Sequence, residues 1–525
     1  MLFTTNIFFF IFLPVFLICY YLVDGIGARV TGKSIREVRK SLLSKLVVVC
    51  ASLFFYAWSV TLDAGCLVVY CLFVYLFGRG ISAASKAGKG GKKARILLAV
   101  SAAASIAILF YFKYVPTFFG FLGNRFPRVG EELQKITAPL GISFITFSVL
   151  SYLIDCYRLD ADAGSVLDCF LYLTFFPKVV SGPIVAWKDF QPQIRRDSAE
   201  KNISGDKKTS AAKPFAGPVI ASSVSKQITW SEDFSAGIRR IAIGFAKKVI
   251  LADTLGSYVS SINYIPLDRT AAWFGWLAYA MQLYFDFAGY SDIAVGLARI
   301  CGFDFKENFN FPYRSLSITE FWRRWHISLG AFFRNYLYIP LGGNRKGCAR
   351  TLFNLAVVFL VTGIWHGAGA AYIIWGGVHG FCVVAERIHR HRKEGKTSGR
   401  TPHAAVCFLQ WLITFCIAVT AWQFFRYGQF KPAVKAILQL FGANYFTGKY
   451  YPWQYYLDAK AWVILAAAFA GSILPGAGKI QELYGRLKKK DWFCLVRDLV
   501  LLLLLAYSIT VMVSSNYHPF IYFKF

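Results

Sequence analysis

Charged side chains are scarce in this chain. Only 16% of its 525 residues are Asp, Glu, Lys or Arg, where a soluble domain carries about 25%. With 56% hydrophobic residues and a mean hydropathy of +0.46, this excludes a water-soluble globular protein. Acidic residues are scarcer still, 28 against 58 Lys and Arg, which leaves a formal net charge of +30. An apolar chain with that excess reads as a multi-span membrane protein with basic loops. Nucleic acid, the usual partner of so basic a chain, is not expected.

The signatures of soluble catalysis are also missing. The twelve Cys are scattered through apolar runs, with no C-x-x-C and no Cys/His cluster at zinc spacing, so neither a disulfide framework nor a metal site is expected. There is no G-x-S-x-G elbow, no H-E-x-x-H, no G-x-G-x-x-G loop and no His four residues before an Asp. No basic segment precedes the first apolar stretch, because the first positive side chain is Arg29. The run from Asn6 to Val23 is too long for a signal-peptide core and lacks an A-x-A site, so it reads as a retained first span.

Apolar segments lie near 6–23, 43–60, 64–79, 96–114, 136–156, 167–181, 236–262, 271–300, 351–388, 404–424, 461–475 and 493–513. The segment 351–388 reads as two helices joined at Gly367–Gly369. Four basic clusters separate the segments: Lys33, Arg36, Arg39 and Lys40; Lys86 to Arg95; Arg387 to Lys396; and Arg486 to Lys490. The positive-inside rule puts all four on the cytoplasmic side, with both termini outside. Residues 192–231, rich in Ser, Ala and Lys, read as a flexible cytoplasmic insertion.

Three stretches keep polar groups at membrane depth, where they are costly. In Tyr284–Asp292 (YFDFAGYSD), Asp286 and Tyr290 share a helix face, forming either a clamp between helices or a wall of a substrate pocket. In Asn310–Arg345, Ser317 and Glu320 fit a capping box, so a helix is expected to start near Ile318 and to carry Trp322, Arg323 and His326 on adjoining positions. That element either lies at the interface as a basic amphipathic helix or lines a cavity. In Leu360–Gly380, a helix from Thr351 to Trp365 would be about 22 Å long, shorter than the roughly 30 Å hydrocarbon core. His366 would then sit at a buried turn, with His379 on the next helix. It is either a satisfied structural residue or a general base, since a desolvated imidazole stays neutral near pH 7.

RRWHISL (Arg323–Leu329) and IWHGA (Ile364–Ala368) resemble the two histidine regions of the membrane-bound O-acyltransferases. The resemblance is strongest to the bacterial polysaccharide (alginate) O-acetyltransferase branch. It is carried by FPKVVSGPI (Phe176–Ile184), YFDFAGYSDIA (Tyr284–Ala294), NFNFPYRSLSITEFWRRWHISL, YIPLGGNR (Tyr338–Arg345) and PFIYFKF (Pro519–Phe525), and so spans essentially the whole chain. The insertion at 192–231 departs from it between motifs.

The resemblance implies an all-α polytopic membrane protein, one domain over 1–525, with about 10–12 transmembrane helices plus re-entrant and interfacial helices around a central cavity. A catalytic histidine region at 310–388 would hold His366 as the buried catalytic base and His326 as the second histidine. Trp365, Arg323 and Asn335 are candidates for the oxyanion, and Asp286 and Tyr290 for the substrate wall. The implied activity moves an acetyl group from a cytoplasmic thioester, acetyl-CoA, across the bacterial cytoplasmic membrane to an extracytoplasmic polysaccharide, with no resident cofactor. An esterase-like partner with a Ser-His-Asp site would complete the transfer to the glycan. Arg323, Arg324, Arg334 and Arg345 are expected to attract the donor's phosphates. D-alanyl transfer to a teichoic acid-type polymer from a docked carrier protein is the alternative within the fold. A polar-solute transporter is the alternative outside it, although no inverted halves are visible.

Overall fold

Lipid offers the backbone no hydrogen bonds, so a chain this apolar has to satisfy its amides within helices. In the computed structural model every regular element among the described residues is helical. The structure describes all residues except 32–40, 59–60, 89–90, 124–125, 181, 196–229, 264–267, 368, 394–402, 444–450, 515–520 and 522–525. The first basic cluster therefore lies outside the described residues and the second and third are partly described, while most of the 192–231 insertion and all of PFIYFKF but Ile521 lie outside.

The amino-terminal half runs through α1 (Leu13–Thr31), α2 (Leu42–Ala57), α3 (Thr61–Ala87), α4 (Lys92–Lys113), α5 (Val115–Gly123), α6 (Pro127–Lys135) and α7 (Ile142–Arg158). Three short elements follow: α8 (Val166–Thr174), the single turn α9 (Phe176–Val179) and α10 (Trp187–Ile194). Then come α11 (Trp230–Phe245), continued by a π-helical stretch Ala246–Asp253 into α12 (Thr254–Ser261), and the long α13 (Arg269–Ile300). The histidine region comprises α14 (Ile318–Arg324), α15 (Ile327–Phe333), α16 (Gly347–His366) and α17 (Ala370–Lys393). Last are α18 (Ala404–Tyr427), α19 (Phe430–Gln439), α20 (Ala459–Ile473), α21 (Gly478–Leu487) and α22 (Asp491–Ser514). The edges of the expected insertion are helical: 192–194 end α10, and 230–231 begin α11.

Among the described residues, seven helices are long and apolar enough to cross a membrane, and α2 is a shorter apolar helix. Their outer faces are apolar, as on α22, where Leu495, Leu499, Leu502 and Leu503 are all exposed. That is the reverse of a soluble surface. The run 167–181 does not cross: α8 has nine residues, about 14 Å at 1.5 Å per residue. A string matching a phosphate-cradling loop, Gly27 to Ser34 (GARVTGKS), does occur. Its residues 27–31 are the last turn of α1, where such a loop would need a preceding strand.

The 32-residue α13 is the axis of the molecule. It is buried nearly all round and contributes to two apolar cores. Phe287, Tyr290 and Ile293 pack with the amino-terminal helices, while Phe274, Trp276 and Phe285 pack with α18 and α20. On α11, a Cβ at Gly244 would lie 2.7 Å from the Gly289 carbonyl oxygen, and one at Gly289 would lie 2.8 Å from that of Gly244. Only glycine permits this backbone contact, the device by which membrane helices pack when burial of apolar surface supplies no drive.

The acidic groups of α13 face the same seam. Asp286 pairs with Lys248 at 2.7 Å, both fully buried, and Lys248 also pairs with Asp253. Asp292 pairs with Arg240 and Lys247, each at 2.7 Å. Tyr290 bonds Thr4 at 3.1 Å. Asp286 also accepts the Ile521 amide at 2.9 Å, which ties the chain end to this seam.

Candidate active site

The histidine region starts as its sequence implies. Ser317 caps α14 by accepting the Glu320 amide at 3.1 Å, and the Glu320 carboxylate reaches back to the Leu316 amide at 3.0 Å. Glu386 of α17 takes two further free amides, Ile318 at 2.7 Å and Thr319 at 2.9 Å. The expected single helix through residue 326 does not form, however. Trp325 leaves the helical region, and His326 adopts φ 44°, ψ 53°, left-handed, before α15 begins. The reason is a competing extended segment: the Asn310 amide bonds the Arg324 oxygen, and the Ile327 amide bonds the Asn308 oxygen, both at 2.9 Å. His326 therefore does not share a helix face with Trp322 and Arg323. Strain of this kind costs on the order of 1–3 kcal/mol and persists where surrounding bonds impose it.

Those bonds converge on Asn308, which is buried. Its Oδ1 lies 3.1 Å from His326 Nδ1 and accepts from the Ser328 amide at 3.2 Å and the Ser328 hydroxyl at 2.9 Å. Its Nδ2 donates to Ser291 of α13 at 3.2 Å. The edge of Phe287, also on α13, meets the imidazole at 4.7 Å between ring centres.

The second histidine is placed differently from the sequence expectation. The helix begins at Gly347, not Thr351, and has 20 residues, about 30 Å. It matches the hydrocarbon thickness instead of falling short of it. Its first turn includes Arg350, whose guanidinium bonds the Leu341 oxygen, while Arg345 and Lys346 precede the helix. His366 is buried by protein packing, not by an early helix end. Its ring meets Trp365 at 4.5 Å, Phe425 at 4.8 Å and Trp375 at 5.1 Å. Close approach occurs at the turn, where a Cβ at Gly369 would be 3.0 Å from the Gly428 oxygen, and again one turn earlier, where a Cβ at Gly363 would be 2.6 Å from the Tyr372 oxygen and one at Gly376 2.6 Å from the Phe359 oxygen.

Two residues absent from the sequence reading finish this helix. Lys113 Nζ donates to the Trp365 carbonyl oxygen at 2.5 Å, and Tyr114 donates to that of Ile364 at 2.8 Å. The Trp365 ring packs between Phe144 and Phe147, and its buried indole nitrogen has no hydrogen-bond partner among the described residues.

His379 lies between the two regions. Fully buried, it stacks on Phe321 and meets Trp322 and Trp375, each at 5.2 Å. Trp322, His379, Trp375 and His366 thus form a continuous run of rings. Leu355 and Val383, which share an apolar cluster with Trp322, also line a cavity of about 190 Å³, together with Thr319, Arg323, Tyr338, Arg387 and Arg390 among others, with no acidic residue in its lining. Burial, then the neighbouring Arg390, pull the Arg323 guanidinium below its ordinary pKa, against the opposing pull of Glu320 and Glu386.

Of the four arginines expected at the mouth, Arg323 lines this cavity. Arg324 is paired with Glu320 at 2.8 Å, and Arg334 and Arg345 are exposed. Asn335 is on a π-helical turn, where its carbonyl oxygen accepts from Arg158 at 3.2 Å. Asp286 and Tyr290 belong to the separate Lys248 cluster on the α11–α13 seam. Arg387 and Arg390 were visible in the sequence only as part of a basic cluster.

The family model for the membrane-bound O-acyltransferases matches residues 2–427. The chain is 35% identical to a protein named probable alginate O-acetylase AlgI from Pseudomonas putida, over 100% of both chains. It is 32% identical to a peptidoglycan O-acetyltransferase of Helicobacter pylori, over 85% of this chain and 80% of that one. Similarity to the teichoic acid D-alanyltransferase of Bacillus subtilis is 29% identity over 53% of this chain and 64% of the relative.

Proposed function

The chain belongs to the membrane-bound O-acyltransferase family, and on that premise we propose that it passes an acetyl group from cytoplasmic acetyl-CoA across the membrane for O-acetylation of an extracytoplasmic polysaccharide. It is a multi-pass membrane enzyme, an O-acyltransferase. The observation that carries the finer reading is the run of rings from the arginine-lined cavity to His366. At about 190 Å³ the cavity is below the roughly 300–1,000 Å³ of a site for a whole small molecule. It suits one anionic group, such as the diphosphate of coenzyme A, with the rest of the donor extending toward the histidines.

In the proposed step the serine hydroxyl oxygen of an esterase-like partner attacks the thioester carbonyl carbon while His366 accepts the hydroxyl proton, and the resulting serine ester is later cleaved by a glycan hydroxyl. The oxyanion of the tetrahedral intermediate needs a buried donor, and the Trp365 indole N–H has one to give. The intermediate collapses with cleavage of the carbon–sulfur bond, and the thiolate leaves and takes a proton. Final transfer to the glycan falls to that same extracytoplasmic partner. The enzyme sits in the cytoplasmic membrane with both termini outside.

The test is transfer of labelled acetyl from acetyl-CoA by the purified protein in proteoliposomes. Label on an extravesicular glycan or partner, lost in His366→Ala with the fold retained, supports the reading. Full activity in that variant overturns the role of His366. Transfer from an acyl-loaded carrier protein but not from acetyl-CoA favours the D-alanyl type of reaction, since a carrier's phosphopantetheine arm presents the same anionic chemistry to the cavity.

A further inference from the structure

We infer that Asn308 is the positioning residue of His326: its side-chain amide holds the imidazole in the tautomer protonated at Nδ1, leaving Nε2 to accept a proton in acyl transfer. The inference rests on the reading of His326 as part of the acyl-transfer site.

A backbone N–H can only donate. The Ser328 amide points at one end of the Asn308 side chain at 3.2 Å, which identifies that end as the carbonyl oxygen. The other end then donates to the Ser291 hydroxyl at 3.2 Å, the direction an NH₂ requires. His326 Nδ1 stands 3.1 Å from the same oxygen. Facing an acceptor, Nδ1 has to carry the hydrogen, and a neutral imidazole then keeps its lone pair on Nε2. The left-handed turn at His326 and the bond from the Ile327 amide to the Asn308 oxygen hold the ring in this register.

Asparagine rather than aspartate matters for the proton balance. When Nε2 takes the proton that His366 removed from the hydroxyl, His366 returns to its neutral form, and the His326 imidazolium keeps its Nδ1–H on a neutral amide until the proton passes to the leaving thiolate. The neutral Asn308 amide brings no charge to stabilise that cation, so the proton is readily given up again. Of the acids in the same elements, Asp292 beside Ser291 and Glu307 beside Asn308 are both held by Arg240, and Asp286 beside Phe287 is held by Lys248. The titratable group across the site is His366, within electrostatic reach of His326.

The experiment compares Asn308→Leu, Asn308→Asp and His326→Ala in proteoliposomes, with thermal unfolding as the fold control. Asn308→Leu should lower kcat by on the order of 10²-fold with KM for acetyl-CoA little changed. Asn308→Asp keeps an acceptor for Nδ1 and should restore much of the rate. Its carboxylate stabilises the imidazolium, so the acid limb of the kcat profile should move to higher pH by about one unit or more. A purely structural Asn308 predicts the opposite: the buried carboxylate is the worse replacement, and the pH profile stays where it was. That result in a folded, active Asn308→Asp enzyme overturns the inference, even should Asn308→Leu fail to fold. Full activity in His326→Ala instead overturns the reading of His326 itself.

Discussion

Lys113 donates its ammonium hydrogen bond to the main-chain oxygen of Trp365 at 2.5 Å, closing the end of the helix that bears His366. The last carbonyls of a helix lack intrahelical partners and carry the negative end of its dipole. A cation there, with the Tyr114 hydroxyl on the neighbouring carbonyl, satisfies both. The two residues lie some 250 positions earlier in the chain, yet they set where the His366 helix stops.

Replacing Lys113 by Leu should leave a buried carbonyl unsatisfied, at a cost of about 1–3 kcal/mol. Thermal unfolding in detergent should show the loss, and acetyl transfer should fall further than stability alone explains, because the His366 turn loses its anchor. Unchanged transfer in a destabilised variant would limit Lys113 to a structural role.

Gly363→Val and Gly376→Val each place carbon where the facing helix has a carbonyl oxygen at 2.6 Å. The α16–α17 hairpin has to spread, and His366 moves with it. Loss of activity with a lowered unfolding temperature is expected for both, whereas Gly377→Ala, with open space at its Cβ, should be neutral in both assays.

Arg387→Gln combined with Arg390→Gln should raise KM for acetyl-CoA while leaving kcat nearly unchanged, since these groups line the cavity and not the histidine turn. The dependence of KM on ionic strength should weaken at the same time, because fewer charges attract the donor's phosphates. A variant whose KM and salt dependence match the parent enzyme would exclude this cavity as the anion site.

Lys248→Met takes the lysine from the fully buried Asp286 and also from the less buried Asp253, and breaking a buried pair costs about 3–5 kcal/mol. Adding Asp286→Asn removes the fully buried charge and should recover most of the lost stability. Activity in the double variant decides between the two sequence readings of Asp286. A near-normal rate assigns it to packing along the α11–α13 seam, and a stable but inactive protein assigns it to the substrate wall.

The amino-acid sequence alone determined the membrane class, the all-helical fold and the location of both histidine motifs. These follow from composition and from signals within a few residues of each other: apolar runs, basic clusters and the Ser317–Glu320 cap. Local rules failed where a distant segment competed for the backbone. Ser317 to His326 has the spacing of one helix, but the extended pairing of Asn308 and Asn310 with Ile327 and Arg324 breaks it and turns His326 left-handed. In the same way, the helix expected from Thr351 begins at Gly347, and the Arg350 guanidinium in its first turn bonds the Leu341 oxygen. Only the tertiary structure could assign Lys113 and Tyr114 to the end of α16, Asn308 to His326, and Asp286 to Lys248. Each is a polar group buried among apolar helices, where its partner is chosen by what comes within hydrogen-bonding distance and not by position along the chain.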